Sequence, residues 1–308
     1  MKAYRALSSA AVVLAFIVVV MGAYVRLSDA GLGCPDWPFC YGKPLPAEIA
    51  DHDALARAWK EMGHRYLAGT LGVVIVLLVI GAWRRRRDAA LATAIVLLVA
   101  LQATLGKWTV TMLLTPAIVT AHLLGGMTTL ALLAWLALAQ WPHRPAPELR
   151  ALRVTAAAAL AALVVQIALG GWVSANYAAL ACPDLPLCRG QAMDFGNAFH
   201  VARELGRTSE GELLPLAALT AIHWTHRLFA LVALSAVLLS AARAWRYWRP
   251  LALTVALLVT LQFALGVANV AFSLPLPLAA AHNAGAALVL LSLIVLNFFA
   301  FSGLRFSP

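Results

Sequence analysis

The stretch GAYVRLSDAGLGCPDWPFCYG, Gly22 to Gly42, occurs twice in this sequence in recognisable form. Moved 148 residues along the chain, it aligns with GGWVSANYAALACPDLPLCRG, Gly170 to Gly190, and 10 of the 21 positions are identical. Each copy begins at the end of a long apolar run and carries two of the four cysteines of the chain. The sequence is therefore an internal duplication, and this loop marks the same point in each half.

The composition is that of a membrane protein. Of the 308 residues, 63% are hydrophobic and only 12% are charged, whereas a soluble domain carries about 25% charged residues. The charges separate eight apolar runs, each close to the roughly 20 residues that a membrane helix needs. These runs are about 8–25, 64–83, 89–107, 117–139, 154–173, 221–242, 251–270 and 279–301. Because continuous runs of this length span lipid only as helices, we predict an all-α polytopic membrane protein with eight transmembrane helices.

Further repeated motifs extend the duplication over the whole chain. HRYLA at His64 matches HRLFA at His226, LQATLG at Leu101 matches LQFALG at Leu261, and TAHLLG matches AAHNAG. Each half contains an even number of helices, so the two halves have the same orientation in the membrane. We expect two pseudo-symmetric four-helix bundles, residues 1–139 and 154–308, joined by a linker at 140–153.

The distribution of Lys and Arg predicts the orientation. With both termini in the cytoplasm, 13 of the 23 basic residues and only two of the 13 acidic residues lie on that side. Both cysteine loops then lie outside a bacterial inner (plasma) membrane. The net charge of +10 is explained as a topology signal, and we expect no binding to nucleic acid.

The cysteine loops are expected to contain disulfides, Cys34–Cys40 and Cys182–Cys188. Each pair is separated by five residues, two of which are prolines, and the outer face of a bacterial membrane is oxidising. Such a disulfide is either a structural staple or part of a redox-active, substrate-facing loop. A four-cysteine zinc site would require both loops to converge.

Four of the eight histidines respect the repeat: His64, His122, His226 and His282. Each lies near the outer end of the second, fourth, sixth or eighth apolar run, so we expect all four at one depth. Ionisable residues inside membrane helices are functional candidates, and facing imidazole pairs are typical ligands of six-coordinate haem iron. The alternative is that four polar residues satisfy one another between helices.

Small residues accompany two of these histidines. Gly125 and Gly285 follow His122 and His282 by three residues on the same helical face, where a flat macrocycle could approach the backbone. His223 lies one turn before His226 and competes with it as a ligand, although the motif match favours His226.

The two halves differ one turn before their first histidine. Glu61 precedes His64 by three residues, whereas His223 occupies the corresponding position in the second half. A carboxylate beside a haem edge can take or relay protons, although a helix N-terminus also favours Glu. Arg65 and Arg227 directly follow their histidines and either contact haem propionates or only extend to the interface.

Taken together, EMGHR, TAHLLGG, HWTHR, AAHNAG and the paired CPDxPxC loops resemble the haem A synthase family over essentially the whole chain. The resemblance implies an oxidoreductase that converts haem O to haem A by oxidising a methyl group to a formyl group in two successive hydroxylations. It implies that His226 and His282 hold haem b through its iron. His64 and His122 would frame the substrate haem, with Glu61 beside the reacting edge.

The same resemblance implies haem O and membrane lipid as partners. A haem O synthase, oxidase assembly proteins and a second copy of the chain are further candidate partners. The main alternative is a di-haem b-type cytochrome that transfers electrons from quinol. Such a carrier needs neither Glu61 nor the cysteine loops, and a duplicated transporter would not explain the position of the histidines.

Overall fold

The computed structural model describes residues 2–46, 51–145, 150–188, 190–302 and 304–306. Residues 146–149 of the predicted linker lie outside this description. The described helices are α1 (Lys2–Leu27), α2 (His52–Arg85), α3 (Ala89–Thr111), α4 (Pro116–Leu138), α5 (Arg150–Ala175), α6 (Phe195–Ala198), α7 (Leu216–Ala244), α8 (Arg249–Ala271) and α9 (Leu276–Ser302).

All these helices except the four-residue α6 are long and apolar enough to cross a membrane. The described part of the chain thus contains eight candidate spans, which confirms the predicted all-α, multi-pass membrane fold. The one sheet among the described residues is a two-stranded antiparallel ribbon, in which β1 (His143–Pro145) pairs with β2 (Leu304–Phe306). It joins the end of the first half to the end of the second.

Helix α2 begins twelve residues before the predicted apolar run. Its N-cap is Asp51, whose side chain accepts a hydrogen bond from the backbone N–H of Asp53 at 2.9 Å. The added turns pack on the first cysteine loop, where Ala58 and Met62 form a small buried cluster with the disulfide. His64 consequently lies about 18 Å from the start of the helix, deeper within it than the apolar pattern indicated.

The four long helices of each half pack as neighbours around a ring. In the first half α1 contacts α2, α2 contacts α3, α3 contacts α4, and α4 returns to α1; helices α5, α7, α8 and α9 repeat this pattern. The halves meet through α1, α4, α5 and α9, which supply most of the main hydrophobic core. This packing is compatible with two pseudo-symmetric bundles, which remain a prediction.

Corresponding ends of the two halves are tied together beside the cysteine loops, an end of the molecule that we call the disulfide end. Arg26, at the end of α1, donates a 2.8 Å hydrogen bond to the carbonyl of Ser174, 148 residues away and thus at the repeat-equivalent position. The Arg26 guanidinium also lies 3.9 Å from the ring centroid of Tyr177. Tyr177 in turn donates to Asp29 at 3.2 Å, so the contact fixes one half against the other.

Gly33 provides a test of how tightly the first cysteine loop is seated on α2. A Cβ atom at Gly33 would lie 2.6 Å from the carbonyl carbon of Arg57 and 2.8 Å from the nitrogen of Ala58. Because both are backbone atoms, Gly33→Ala should displace the loop and lower the stability by roughly 1–3 kcal/mol. The measurement is the midpoint of thermal unfolding in detergent.

The matched control is Gly69→Ala in the same helix that supports the loop. A Cβ atom at Gly69 meets nothing within 4 Å, so this variant should unfold near the wild-type midpoint. Equal midpoints for Gly33→Ala and the wild type would show that the loop is not seated as described.

Candidate functional site

In the first half the imidazole ring of each predicted ligand packs against a glycine of the neighbouring helix. A Cβ atom at Gly22 of α1 would come within 2.9 Å of Cε1 of His64. In the same way a Cβ atom at Gly106 of α3 would lie 3.3 Å from Cε1 of His122. The two imidazoles lie near one another. The structure therefore brings this predicted pair together and supports each ring on bare backbone.

The second half repeats this arrangement. A Cβ atom at Gly170 of α5 would lie 3.0 Å from Cε1 of His226, and one at Gly266 of α8 would lie 3.2 Å from Cε1 of His282. Here too the two imidazoles lie near one another. Four helix pairs thus use the same contact, in which a glycine leaves room for an imidazole ring.

Glutamine side chains lie over the glycines that were expected to face a macrocycle. The amide of Gln102 lies where a Cβ atom of Gly125 would stand, 1.8 Å from that position, and the Gln262 amide lies 2.2 Å from the equivalent position at Gly285. The space at these glycines is thus filled by an amide from the neighbouring helix. The repeated LQATLG and LQFALG motifs contain both glutamines, so the signal was present in the sequence.

A third glutamine has no counterpart in the first half. Gln166 of α5 lies one turn before Gly170, and its Nε2 is 3.1 Å from Nδ1 of His226 and 3.2 Å from the His226 carbonyl oxygen. At the equivalent position, 148 residues earlier, the first half has Val18. Gln166 belongs to no repeated motif, so the sequence pattern gave no indication of its role.

Glu61 is buried, with 4% of its surface exposed, and both carboxylate oxygens have partners. Oε2 accepts a hydrogen bond from the backbone N–H of Cys34 at 2.9 Å, and Oε1 pairs with Arg65. The carboxylate is therefore fixed between the first cysteine loop and the turn of α2 that carries His64.

Arg65 also holds that loop directly. Its Nη1 donates to the carbonyl oxygens of Asp36 and Phe39 at 3.0 and 2.9 Å. Arg65 thus holds the loop through these carbonyls and pairs with the Glu61 carboxylate at the same time. The predicted neighbour of the haem propionates is thus engaged with the polypeptide in this structure.

The second half uses the equivalent arginine without a carboxylate. Arg227 donates through Nη1 to the carbonyl of Asp184 at 2.6 Å and also bonds the carbonyl of Cys182. Its Nε donates to Nε2 of His223 at 3.2 Å. His223 therefore occupies the position equivalent to Glu61, and its Nε2 accepts a hydrogen bond from Arg227.

Both cysteine pairs form disulfides. The Cα atoms of Cys34 and Cys40 are 4.8 Å apart, and those of Cys182 and Cys188 are 5.2 Å apart. Within the described residues no three His, Cys, Asp or Glu side chains form a group that could hold a metal ion. Each cysteine loop is thus cross-linked by its own disulfide, and the described residues give no support to a shared zinc site.

An additional buried arginine, Arg203, holds the second cysteine loop in position. Arg203 bonds the amide oxygen of Asn176 and lies 5.6 Å from the ring centroid of Trp172. No carboxylate is among its described partners, and burial lowers the pKa of Arg203. Asn176 itself donates to the carbonyl of Trp172 at 2.8 Å, so this network anchors the longer loop to the end of α5.

The histidine pairs fit haem better than they fit a bare metal ion. Nδ1 of His64, His122 and His282 is buried and has no hydrogen-bond partner among the described residues. Two imidazoles without further ligands are the axial set of a six-coordinate haem, whereas a tetrahedral or octahedral ion needs more protein ligands.

A groove of about 600 Å³ lies elsewhere, between α4, α5 and α9. It is lined by apolar side chains and by Asn297, whose amide already donates to the carbonyls of Ala156 and Leu293 at 3.1 and 2.9 Å. None of the four predicted ligands lines it, so it is separate from the candidate site.

These features define a multi-pass membrane protein in which each half presents an imidazole pair suited to haem. The model of the COX15-CtaA family, cytochrome oxidase assembly proteins, matches residues 5–294. The chain belongs to this family.

Curated relatives cover most of the chain. The haem A synthase of Shewanella oneidensis is 43% identical over 93% of this chain and 93% of its own length. That of Caulobacter vibrioides is 31% identical over 89% of each chain. That of Halalkalibacterium halodurans is 30% identical over 70% of this chain and 73% of its own.

The Arg65–Glu61 pair should be essential to the seating of the first loop. Arg65→Ala leaves a buried carboxylate without its cation, which should cost about 3 kcal/mol of stability. Adding Glu61→Gln removes the stranded charge and should restore part of the loss. Thermal unfolding of both single variants and the double variant in detergent measures this coupling. Strictly additive effects would show that the two side chains do not act as a pair.

Proposed function

We propose that this protein is a haem A synthase, an enzyme that oxidises one methyl group of haem O to a formyl group. The proposed route is two successive hydroxylations, giving an alcohol and then a geminal diol that loses water. The family match over residues 5–294 and relatives of that name support the proposal. Among the structural features, the one that carries it is the combination of two imidazole pairs with a buried carboxylate beside only one of them.

We propose that the two halves divide the work. Residues 1–139 would hold the substrate haem between His64 and His122, and residues 154–308 would hold a resident haem b between His226 and His282. The asymmetry between Glu61 and His223 supports this division, because proton transfer is needed only where the methyl group reacts. When bound, haem b would supply one-electron redox chemistry within the membrane.

Glu61 is the proposed acid–base residue. The N–H of Cys34 and the guanidinium of Arg65 fix its two oxygens, so the carboxylate stays one turn from His64. A positioned carboxylate can take the proton released at the substrate edge and pass it on. Burial of the group keeps bulk water from the same place.

Arg65 and Arg227 place a guanidinium group at the disulfide end of each pair, and that of Arg65 is already paired with Glu61. Both guanidinium groups are anchored by loop carbonyls, so their charges are held in position. We propose that these charges offset the propionates of the two haems.

The proposed location is the bacterial plasma membrane, with both termini in the cytoplasm. The excess of Lys and Arg on that side supports this orientation. Haem O carries a long apolar tail and would enter from lipid. A haem O synthase would supply it and oxidase assembly proteins would receive the product.

The test is to extract and separate haems from cells that make this protein together with a haem O synthase. We expect haem A only when the intact protein is present. Haem b and unconverted haem O alone, from a folded sample, would favour an electron-carrying di-haem cytochrome.

Glu61→Gln tests the acid–base role. The amide keeps an acceptor for the Cys34 N–H but cannot take a proton as a carboxylate does, so haem A should fall by about 10²-fold or more. Haem content should stay unchanged. The control is Glu204→Gln, since Glu204 is exposed in the second loop. Normal haem A yield from Glu61→Gln would remove Glu61 from the mechanism.

The histidine variants test the division between halves. His226→Ala and His282→Ala should each abolish the low-spin b-type absorption of the purified protein. His64→Ala and His122→Ala should keep that absorption and stop haem A formation. Turnover in His64→Ala, or an unchanged spectrum in His226→Ala, would contradict the assignment.

A further inference from the structure

The two histidine pairs differ in what holds their rings. Of the four predicted ligands, only His226 has a described hydrogen-bond partner at Nδ1. This partner is Nε2 of Gln166, which lies 3.1 Å from Nδ1 and 3.4 Å from Nε2 of the same ring. The same amide donates to the carbonyl of His226 at 3.2 Å. One side chain thus contacts both the ring and the backbone of this residue.

The second histidine of that half is held by a neighbouring amide as well. Nε2 of Gln262 donates to the carbonyl of His282 at 2.9 Å. In the first half the equivalent amide, Gln102, has no described hydrogen-bond partner for either its oxygen or its nitrogen. The position equivalent to Gln166 is Val18, which packs against the hydrophobic core and cannot form a hydrogen bond through its side chain. Hydrogen bonds from glutamine side chains therefore support both histidines of the second half, and no such hydrogen bond is described for the histidines of the first half.

We propose that Gln166 is the positioning residue that makes the second pair retain its haem, whereas Val18 leaves the first pair free to exchange haem. This inference rests on the proposed function, in which the cofactor must stay and the substrate must enter and leave. It names the side chains that separate a resident haem site from an exchange site within an otherwise repeated framework.

The chemistry follows from the needs of a metal-ligating imidazole. When Nε2 ligates iron, Nδ1 carries a proton and needs an acceptor that fixes the ring and increases its basicity. The Oε1 atom of Gln166 is buried and has no described partner. A half-turn of the amide about its last torsion would place this oxygen near Nδ1, in exchange for the hydrogen bond that Nε2 now donates to the His226 carbonyl. The Val18 side chain offers no such acceptor. The first pair would therefore hold haem without a side-chain hydrogen bond from this position.

The experiment measures haem release from the purified protein to excess apomyoglobin, together with the reduction midpoint of the bound haem. Gln166→Met keeps the length of the side chain and removes the amide. We expect release from the second half to accelerate by about tenfold or more and the midpoint to rise. Gln166→Glu retains an acceptor and should restore slow release. Wild-type release and midpoint in Gln166→Met would overturn the proposal.

Gln102→Met is the matched control, since its amide has no described hydrogen bond to lose; it should leave release from the second half unchanged. If Gln102→Met accelerates haem release from the second half as much as Gln166→Met does, the proposed role of Gln166 is wrong. The reciprocal variant is Val18→Gln in a His226→Ala background, loaded with haem after purification so that only the first half binds it. It should slow release from that half, and an unchanged rate would contradict the proposal.

Failure of the inference is distinguishable from failure of the proposed function. If wild type and His226→Ala contain the same amount of haem, the second half has no resident haem, and the proposed division between the halves falls together with this inference. If wild type retains a His226-dependent haem and Gln166→Met retains it equally well, only the inference about Gln166 falls.

Discussion

The contact between an imidazole ring and a glycine of the neighbouring helix recurs four times, and the positions of all the predicted ligands depend on it. A side chain as small as alanine would bring its Cβ within 2.9–3.3 Å of the ring in each case. Because the ring must lie on bare backbone, the contact fixes the separation and rotation of each helix pair. The framework is thereby set for both halves, and the differences between them arise from the residues placed around it.

Those differences lie at two levels. At the disulfide end, Arg65 binds the first loop together with Glu61, whereas Arg227 binds the second loop together with His223. Deeper in the helices, Gln166 contacts His226, whereas the first half has Val18. Duplication supplies two equal frameworks, and a few polar substitutions are sufficient to give them different chemistry.

Much of the fold was predictable because its signals are local. Apolar runs of membrane length predict spans wherever they occur, and the repeated loop predicts that the halves share a plan. The start of α2 was missed because charged residues interrupt the apolar pattern over residues 52–63, where the helix begins at the Asp51 cap and packs on the first loop. The glutamines over Gly125 and Gly285 belong to repeated motifs, but a glycine does not reveal which neighbour fills the space beside it, so their position was missed.

The sequence by itself determined the number of spans, the duplication, the cysteine pairs and the four repeated histidines. These features depend on hydrophobic length and on residue identity at fixed spacing, which are properties of one segment at a time. Only the tertiary structure decided that Glu61 is held by the N–H of Cys34, that Arg65 is bonded to loop carbonyls, and that Gln166 contacts His226. Each of these contacts joins residues 26 to 60 positions apart, and such pairs meet only when the helices have packed.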